Sequence, residues 1–173
     1  MKHITVITGG ARSGKSSRAL ELAAAAGAGR RLFIATGEAR DAEMTERIAH
    51  HKRTRPPDFE TIDVPTEIVS AIRSIEGGAA VVVIDCLTLW VSNLMLKDAS
   101  DEEILARANN LATAMGEAKF PSIVVTDEVG LGIVPEYAAG RRFRDLLGWT
   151  NQQIAAAADE VILMVAGCPL KMK

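Results

Sequence analysis

Gly9-Gly10-Ala11-Arg12-Ser13-Gly14-Lys15-Ser16 follows a short apolar run, Ile4 to Thr8, and leads into an Ala- and Leu-rich stretch, Ser16 to Ala26. The octet matches G-x-x-x-x-G-K-S, the pattern of a loop that wraps phosphate. Its glycines let the backbone close around phosphate oxygens, and consecutive N–H groups aimed inward form an anion nest. A helix opening where the loop ends adds the positive end of its dipole to the same point. Lys15 is then placed to reach the β- and γ-phosphates of a nucleoside triphosphate, and the Ser16 hydroxyl to hold Mg²⁺. Strand, glycine loop and helix in that order predict the phosphate site of an α/β domain.

The rest of the chain extends the same alternation. β-like runs recur at Arg31 to Ala35, Ala79 to Asp85, Ser122 to Thr126 and Glu160 to Val165. They are short and rich in Val and Ile, and several are apolar throughout, as strands buried on both faces of a parallel sheet are. Helical stretches lie between them. Ser16 to Ala26 ends at Gly27, a candidate C-terminal cap. Ser100 with Glu103 fits a capping box opening a helix to about Ala118. Tyr137 to Ala158 has helical spacing, with a break expected near Gly148. Asp41 to Lys52 reads as a helix with Met44 and Ile48 on its apolar side, and Arg53 to Asp58 has loop composition. The predicted fold is α/β and three-layered, with a mostly parallel central sheet and a single domain over residues 1–173.

Composition narrows the function. Among 173 residues, 48% are hydrophobic and 24% charged, as in an ordinary globular domain. Lys and Arg total 20 against 22 acidic residues, so the basic excess of a nucleic-acid binder is missing. Aromatics at 4% are too few for a base-stacking platform. Apolar runs stop well short of a membrane span, and the N-terminal run lacks the length of a signal-peptide core. The two cysteines, Cys86 and Cys168, cannot build a disulfide framework or a four-ligand zinc site, and their apolar neighbours suggest buried thiols. A cytoplasmic location is expected.

A triphosphate needs a metal partner. Val81-Val82-Val83-Ile84-Asp85 is a hydrophobic run ending in a carboxylate, the form of a Walker B element. Asp85 would face the crevice at the carboxyl ends of the strands; it is also placed to cap the next helix. Thr126-Asp127-Glu128 closes another strand in the same way, so Asp127 or Glu128 could also address the metal or its waters.

His3 lies at the start of the first strand, where a structural role is expected. His50 is off the apolar stripe of its helix, one turn beyond Glu46 and Arg47. A neutral imidazole is a competent nucleophile near neutral pH. Attack on a nucleotide phosphorus would give a phosphoramidate and split one hard transfer into two. The same pair of histidines also fits a solvated helix face. On these motifs alone, a small-molecule kinase or a RecA-like ATPase module acting on a partner protein is also possible.

With these residues in place, the sequence resembles the bifunctional adenosylcobinamide kinase / adenosylcobinamide-phosphate guanylyltransferases of cobalamin biosynthesis, over nearly its whole length. The likeness runs through Thr8 to Ser16, Ile34-Ala35-Thr36, Asp41 to Ile48, His50-His51-Lys52 and Arg55-Pro56. It continues in Asp85-Cys86-Leu87-Thr88, Asn93-Leu94, Glu128-Val129-Gly130 and Gly132 to Glu136, and closes in Phe143-Arg144-Asp145, Asn151-Gln152 and Ala155 to Val161. Where that family often has Glu, this chain has Asp63 and Asp85; where Asn is common it has Asp127; Gly148-Trp149-Thr150 replaces a Gly-Arg pattern.

The resemblance implies a P-loop fold of the RecA type and two reactions on one corrinoid. Adenosylcobinamide is phosphorylated by ATP or GTP. GTP then guanylylates His50, and the GMP passes to adenosylcobinamide phosphate. By the same resemblance, Gly9, Gly10, Ala11, Arg12, Ser13, Gly14, Lys15 and Ser16 bind the nucleotide, with Ile34, Ala35 and Thr36. His51, Lys52, Arg53, Thr54, Asp63 and Asp85 join them. Mg²⁺ falls to Ser16 and Asp85, and a homo-oligomer, in the form of a trimer, is implied.

Overall fold

The apolar runs assemble into one sheet in a computed structural model that describes residues 3–173, the side chains of His51 and Thr54 excepted. Among the described residues the strands are β1 (Ile4–Gly9), β2 (Arg31–Ala35), β3 (Phe59–Asp63), β4 (Val81–Asp85), β5 (Ser122–Val125), β6 (Glu160–Val165) and β7 (Cys168–Lys171). The helices are α1 (Lys15–Ala24), α2 (Ala42–Thr54), α3 (Ile68–Arg73), α4 (Leu87–Leu96), α5 (Asp101–Glu117) and α6 (Ala138–Ala157). The strand order is β3-β2-β4-β5-β1-β6-β7, and every pairing is parallel except β6 with β7. β5 therefore stands between β1, which feeds the glycine loop, and β4, which ends in Asp85.

The two-residue period of the strands divides the core into two. Val82 and Ile84 of β4 point with Leu32 and Ile34 into a core filled by α3, α4, α5 and α6. Val81, Val83 and Phe33 point the other way, where Ala19 and Ala23 of α1 supply the buried helical contacts. Small alanines let α1 lie close to the sheet, which brings its first turn down onto the strand ends. α2 has no buried side chain among those described; Met44, Ile48 and Ala49 are half-buried. Its start is set by Asp41, whose carboxylate accepts the Met44 N–H at 2.7 Å.

Five strands are legible in the sequence, and the structure adds two at the sheet edges. β3 shows solvent three of its five residues, and β7 is exposed along its length; neither needs the apolar run that identifies a buried strand. Pro169 is tolerated in β7 because an edge strand need not donate every N–H. Three further expectations are corrected. α1 ends before Gly27, at a right-handed cap on Ala25. α6 runs through Gly148 without a break, since buried Leu146, Leu147, Thr150 and Ile154 hold both halves to one core, against a glycine cost of about 1 kcal/mol. Arg53 and Thr54 belong to α2, so the loop begins at Arg55. The capping box at Ser100 and Glu103 forms as expected. No helix among the described residues is long and apolar enough to cross a membrane.

Candidate active site

The glycine loop is shaped by contacts that only glycine allows. Gly9 has φ 148°, and a Cβ there would lie 2.4 Å from the Met164 carbonyl oxygen. Gly14 caps α1 in the left-handed region at φ 96°. The β6–β7 hairpin buttresses the loop, as the Gly167 N–H donates to the Ser13 carbonyl at 3.0 Å. On the other side the Glu128 N–H donates to the Gly9 carbonyl at 3.0 Å. Lys15 is buried, and its ammonium donates to the Gly10 carbonyl at 2.6 Å. The same nitrogen lies 2.7 Å from Asp127 Oδ1.

A cavity of about 970 Å³ opens from this loop along the α1 face of the sheet. That volume is at the upper end for a small-molecule site and accommodates a nucleotide. Its wall contains Ala11 to Ser16 from the loop and Ala35, Asp63, Asp85 and Asp127 from the strand ends. α2 contributes His50, Lys52 and Arg53. The loop lysine and the exposed His50 thus face one space, although 35 positions separate them in the chain.

The remaining candidates are placed differently. Ile34 is fully buried in the core on the opposite face. Thr36 is fully buried as well, and its hydroxyl donates to the Cys86 carbonyl at 2.7 Å and accepts the Cys86 N–H at 2.8 Å. It joins β2 to the end of β4, and Asn93 completes the junction by donating to the Thr36 carbonyl at 2.7 Å. Gly9 and Gly10 shape the loop from behind the cavity wall. The side chains of His51 and Thr54, also expected at the nucleotide, lie outside the described residues. Asp85 does not cap α4, whose N-cap is Cys86.

Six Lys or Arg side chains and five carboxylates line the cavity. Such a near-balance leaves most of a triphosphate's charge uncompensated, which is the charge a divalent cation would offset. The donors suit it: the Ser16 hydroxyl and the Asp85 carboxylate are hard oxygens on the same cavity wall. Magnesium takes one or two carboxylates with phosphate oxygens and waters, and needs no cage of protein ligands.

Arg55 has no site role in the sequence reading, and Asp127 shares an open one with Glu128. Arg55 ends α2, lays its guanidinium 3.4 Å from the Phe33 ring centroid and donates to Thr61 Oγ1. Burial pulls its pKa below the ordinary arginine value, against the opposing fields of Asp85 and Asp63. Its signals in sequence are its place between a helical run and Pro56-Pro57 and its share in the family resemblance. Asp127 was one of two open choices for the metal, and the ion pair with Lys15 marks it out. Cys86 is half-buried, its thiol pushed up to about 12, by burial first and then by Asp85; it is no nucleophile at neutral pH. Cys168, expected to be buried, is exposed on the edge strand β7.

A family model described as cobinamide kinase / cobinamide phosphate guanyltransferase matches residues 5–172. The bifunctional adenosylcobalamin biosynthesis protein CobP of Pseudomonas aeruginosa is 39% identical over 168 residues, covering 97% of this chain and 96% of its own. The bifunctional adenosylcobalamin biosynthesis protein CobU of Escherichia coli is 38% identical over 180 residues, covering 97% and 98%. Among solved structures, the RadB recombinase superposes with a TM-score of 0.53 at 15% identity, over 93% of this chain and 73% of that one. That likeness identifies the fold as the RecA-like P-loop type.

Proposed function

The chain belongs to the cobinamide kinase / cobinamide phosphate guanyltransferase family and is an enzyme of cobalamin biosynthesis; from that premise we propose that both transfers use the one cavity and that the second passes through GMP bound to His50. The observation that carries this reading is the shared wall: Lys15 and His50 line the same space. A triphosphate gripped by the loop would present its α-phosphorus within the space that His50 also lines.

In the kinase step the terminal hydroxyl of adenosylcobinamide attacks the γ-phosphorus of ATP or GTP. The P–O bond to the β-phosphate breaks, the hydroxyl proton is lost, and nucleoside diphosphate leaves. This chemistry depends on positioning and charge neutralisation. Lys15 and the loop N–H groups supply both, and Mg²⁺ held by Ser16 and Asp85 would add charge to offset the phosphates.

In the guanylyl step an unprotonated imidazole nitrogen of His50 attacks the α-phosphorus of GTP. A P–N bond forms, the α–β bridging oxygen leaves with pyrophosphate, and Lys15 offsets its charge. A phosphate oxygen of adenosylcobinamide phosphate then attacks the GMP phosphorus. The P–N bond breaks and its electrons return to the imidazole, giving adenosylcobinamide-GDP. Ala35, Lys52, Arg53, Asp63 and Asp85 serve the nucleotide, with His51 and Thr54 as the family resemblance assigns them; Ile34 and Thr36 act through the strand end that holds Ala35 in the wall. The protein acts in the cytoplasm as a single-domain subunit of a homo-oligomer, a trimer, and does not bind nucleic acid. Mass spectrometry after GTP treatment tests the intermediate: one GMP on the peptide containing His50 supports it, and GMP confined to another peptide refutes it.

A further inference from the structure

Lys15 presents a charged nitrogen in a nearly closed place, its side chain 9% exposed. An ammonium so buried is costly unless paired. Its neutral partners are the Gly10 carbonyl at 2.6 Å and Ser13 Oγ at 3.5 Å. The counter-charge comes from Asp127, with Oδ1 at 2.7 Å.

Asp127 is itself held from outside the loop. Its N–H donates to Thr88 Oγ1 at 2.8 Å, in the first turn of α4. Its carbonyl accepts from Asn151 Nδ2 of α6 at 3.1 Å. Asn151 is oriented in turn by accepting the Thr126 hydroxyl at 2.7 Å. These bonds use the backbone of Asp127 and leave the carboxylate to the cavity, where it is 31% exposed. Val125 is in register with Asp85, so the strand placed between β1 and β4 carries Asp127 to a point between the loop and the second carboxylate.

We propose that Asp127 is a positioning residue that takes, for Lys15, the place of a phosphate oxygen, and that a triphosphate must displace it from the ammonium. The carboxylate keeps the lysine aimed into the loop between turnovers. An arriving phosphate claims the same ammonium, and two anions at that distance repel unless a divalent cation lies between them. Asp127 therefore weakens binding of bare triphosphate and makes tight binding conditional on the metal. This rests on the reading of Gly9 to Ser16 as a triphosphate site.

Isothermal titration of the full chain with GTP, once in chelator and once in excess Mg²⁺, tests the assignment. Asp127→Asn and Asp127→Ser are expected to bind metal-free GTP about tenfold more tightly than the unmodified chain, with a smaller ratio between metal-free and metal-loaded affinities. A purely structural role would leave that ratio unmoved. Metal-free binding by Asp127→Asn that is unchanged or weaker overturns the proposal. So does loss of folding in both variants, because the backbone bonds that anchor the residue do not involve the carboxylate. Lys15→Ala separates the two levels: if it binds GTP like the unmodified chain, the phosphate-loop reading itself fails.

Discussion

The Arg55 guanidinium lies 3.4 Å from the centroid of the Phe33 ring and so fastens the last turn of α2 to the second strand. Lys52, three positions earlier, pairs with Asp63 on the third strand at 2.8 Å. The helix that carries His50 is attached by polar and stacking contacts near its C-terminal end, and its described side chains bury no core.

Arg55→Lys tests that attachment, because it retains the charge and removes the planar stack. A cation over an aromatic ring contributes about 0.5–2 kcal/mol. Formation of the GMP adduct is expected to fall up to about tenfold, and phosphorylation of adenosylcobinamide, which in the proposed mechanism does not use His50, to fall less. Equal losses in quench-flow rates of the two reactions would count against a role for Arg55 in placing the histidine.

His50→Ala should separate the two activities outright. Labelling by α-labelled GTP is expected to disappear and kinase activity to persist, since in the proposed kinase step the corrinoid hydroxyl attacks the γ-phosphorus directly. Acid-labile label remaining on the variant would remove His50 from the mechanism. Lys15→Ala should slow both transfers, by about 100-fold or more; an unchanged rate for either would place the two reactions in separate phosphate sites.

Gly9→Ala and Gly10→Ala form a matched pair. The first puts a methyl group 2.4 Å from the Met164 carbonyl oxygen at φ 148°, whereas a Cβ at Gly10 meets nothing within 4 Å. Gly9→Ala is expected to cost about 2–4 kcal/mol, and Gly10→Ala within about 1 kcal/mol of no change. Urea unfolding of the two variants is the measurement.

The thiols differ in a way that pH reveals. Cys86 keeps its proton in the folded chain up to about 12, against 9.0 in the unfolded chain. Between those values the folded state holds the extra proton, so stability should fall as pH rises above 9.0, by at most about 1.4 kcal/mol per unit from this group. Cys86→Ala should flatten that slope in thermal melts from pH 8.5 to 10.5. At pH 8, iodoacetamide should modify Cys168 alone; rapid modification of Cys86 would contradict its raised pKa.

The central strands were legible because burial on both faces demands apolar residues throughout. Val81 to Ile84 leave little choice of reading, and the glycine loop declares its own chemistry. β3 and β7 were not legible, because an edge strand with one solvated side can be built from Glu60, Thr61 or Lys171. Candidates were legible where one residue type suits a chemical role, as at Lys15, Ser16 and His50, and these three line one cavity. Asp127 and Arg55 draw their importance from neighbours far along the chain, respectively Lys15 and Phe33, and no local pattern encodes such distances. Ile34 and Thr36 show the converse: a segment named as a unit sends only Ala35 to the cavity, because alternate residues of a strand face opposite ways.

Four helices pack one face of the sheet, while α1 supplies the buried helical residues of the other. This is a division of labour between the sides of a single sheet. The helix-covered side holds the larger of the two buried cores. The sparsely covered side leaves room for a nucleotide and for the approach of a bulky acceptor without opening a packed interior. Substitutions on the exposed positions of α2, which bury no described side chain, are therefore expected to alter turnover while the melting temperature hardly moves.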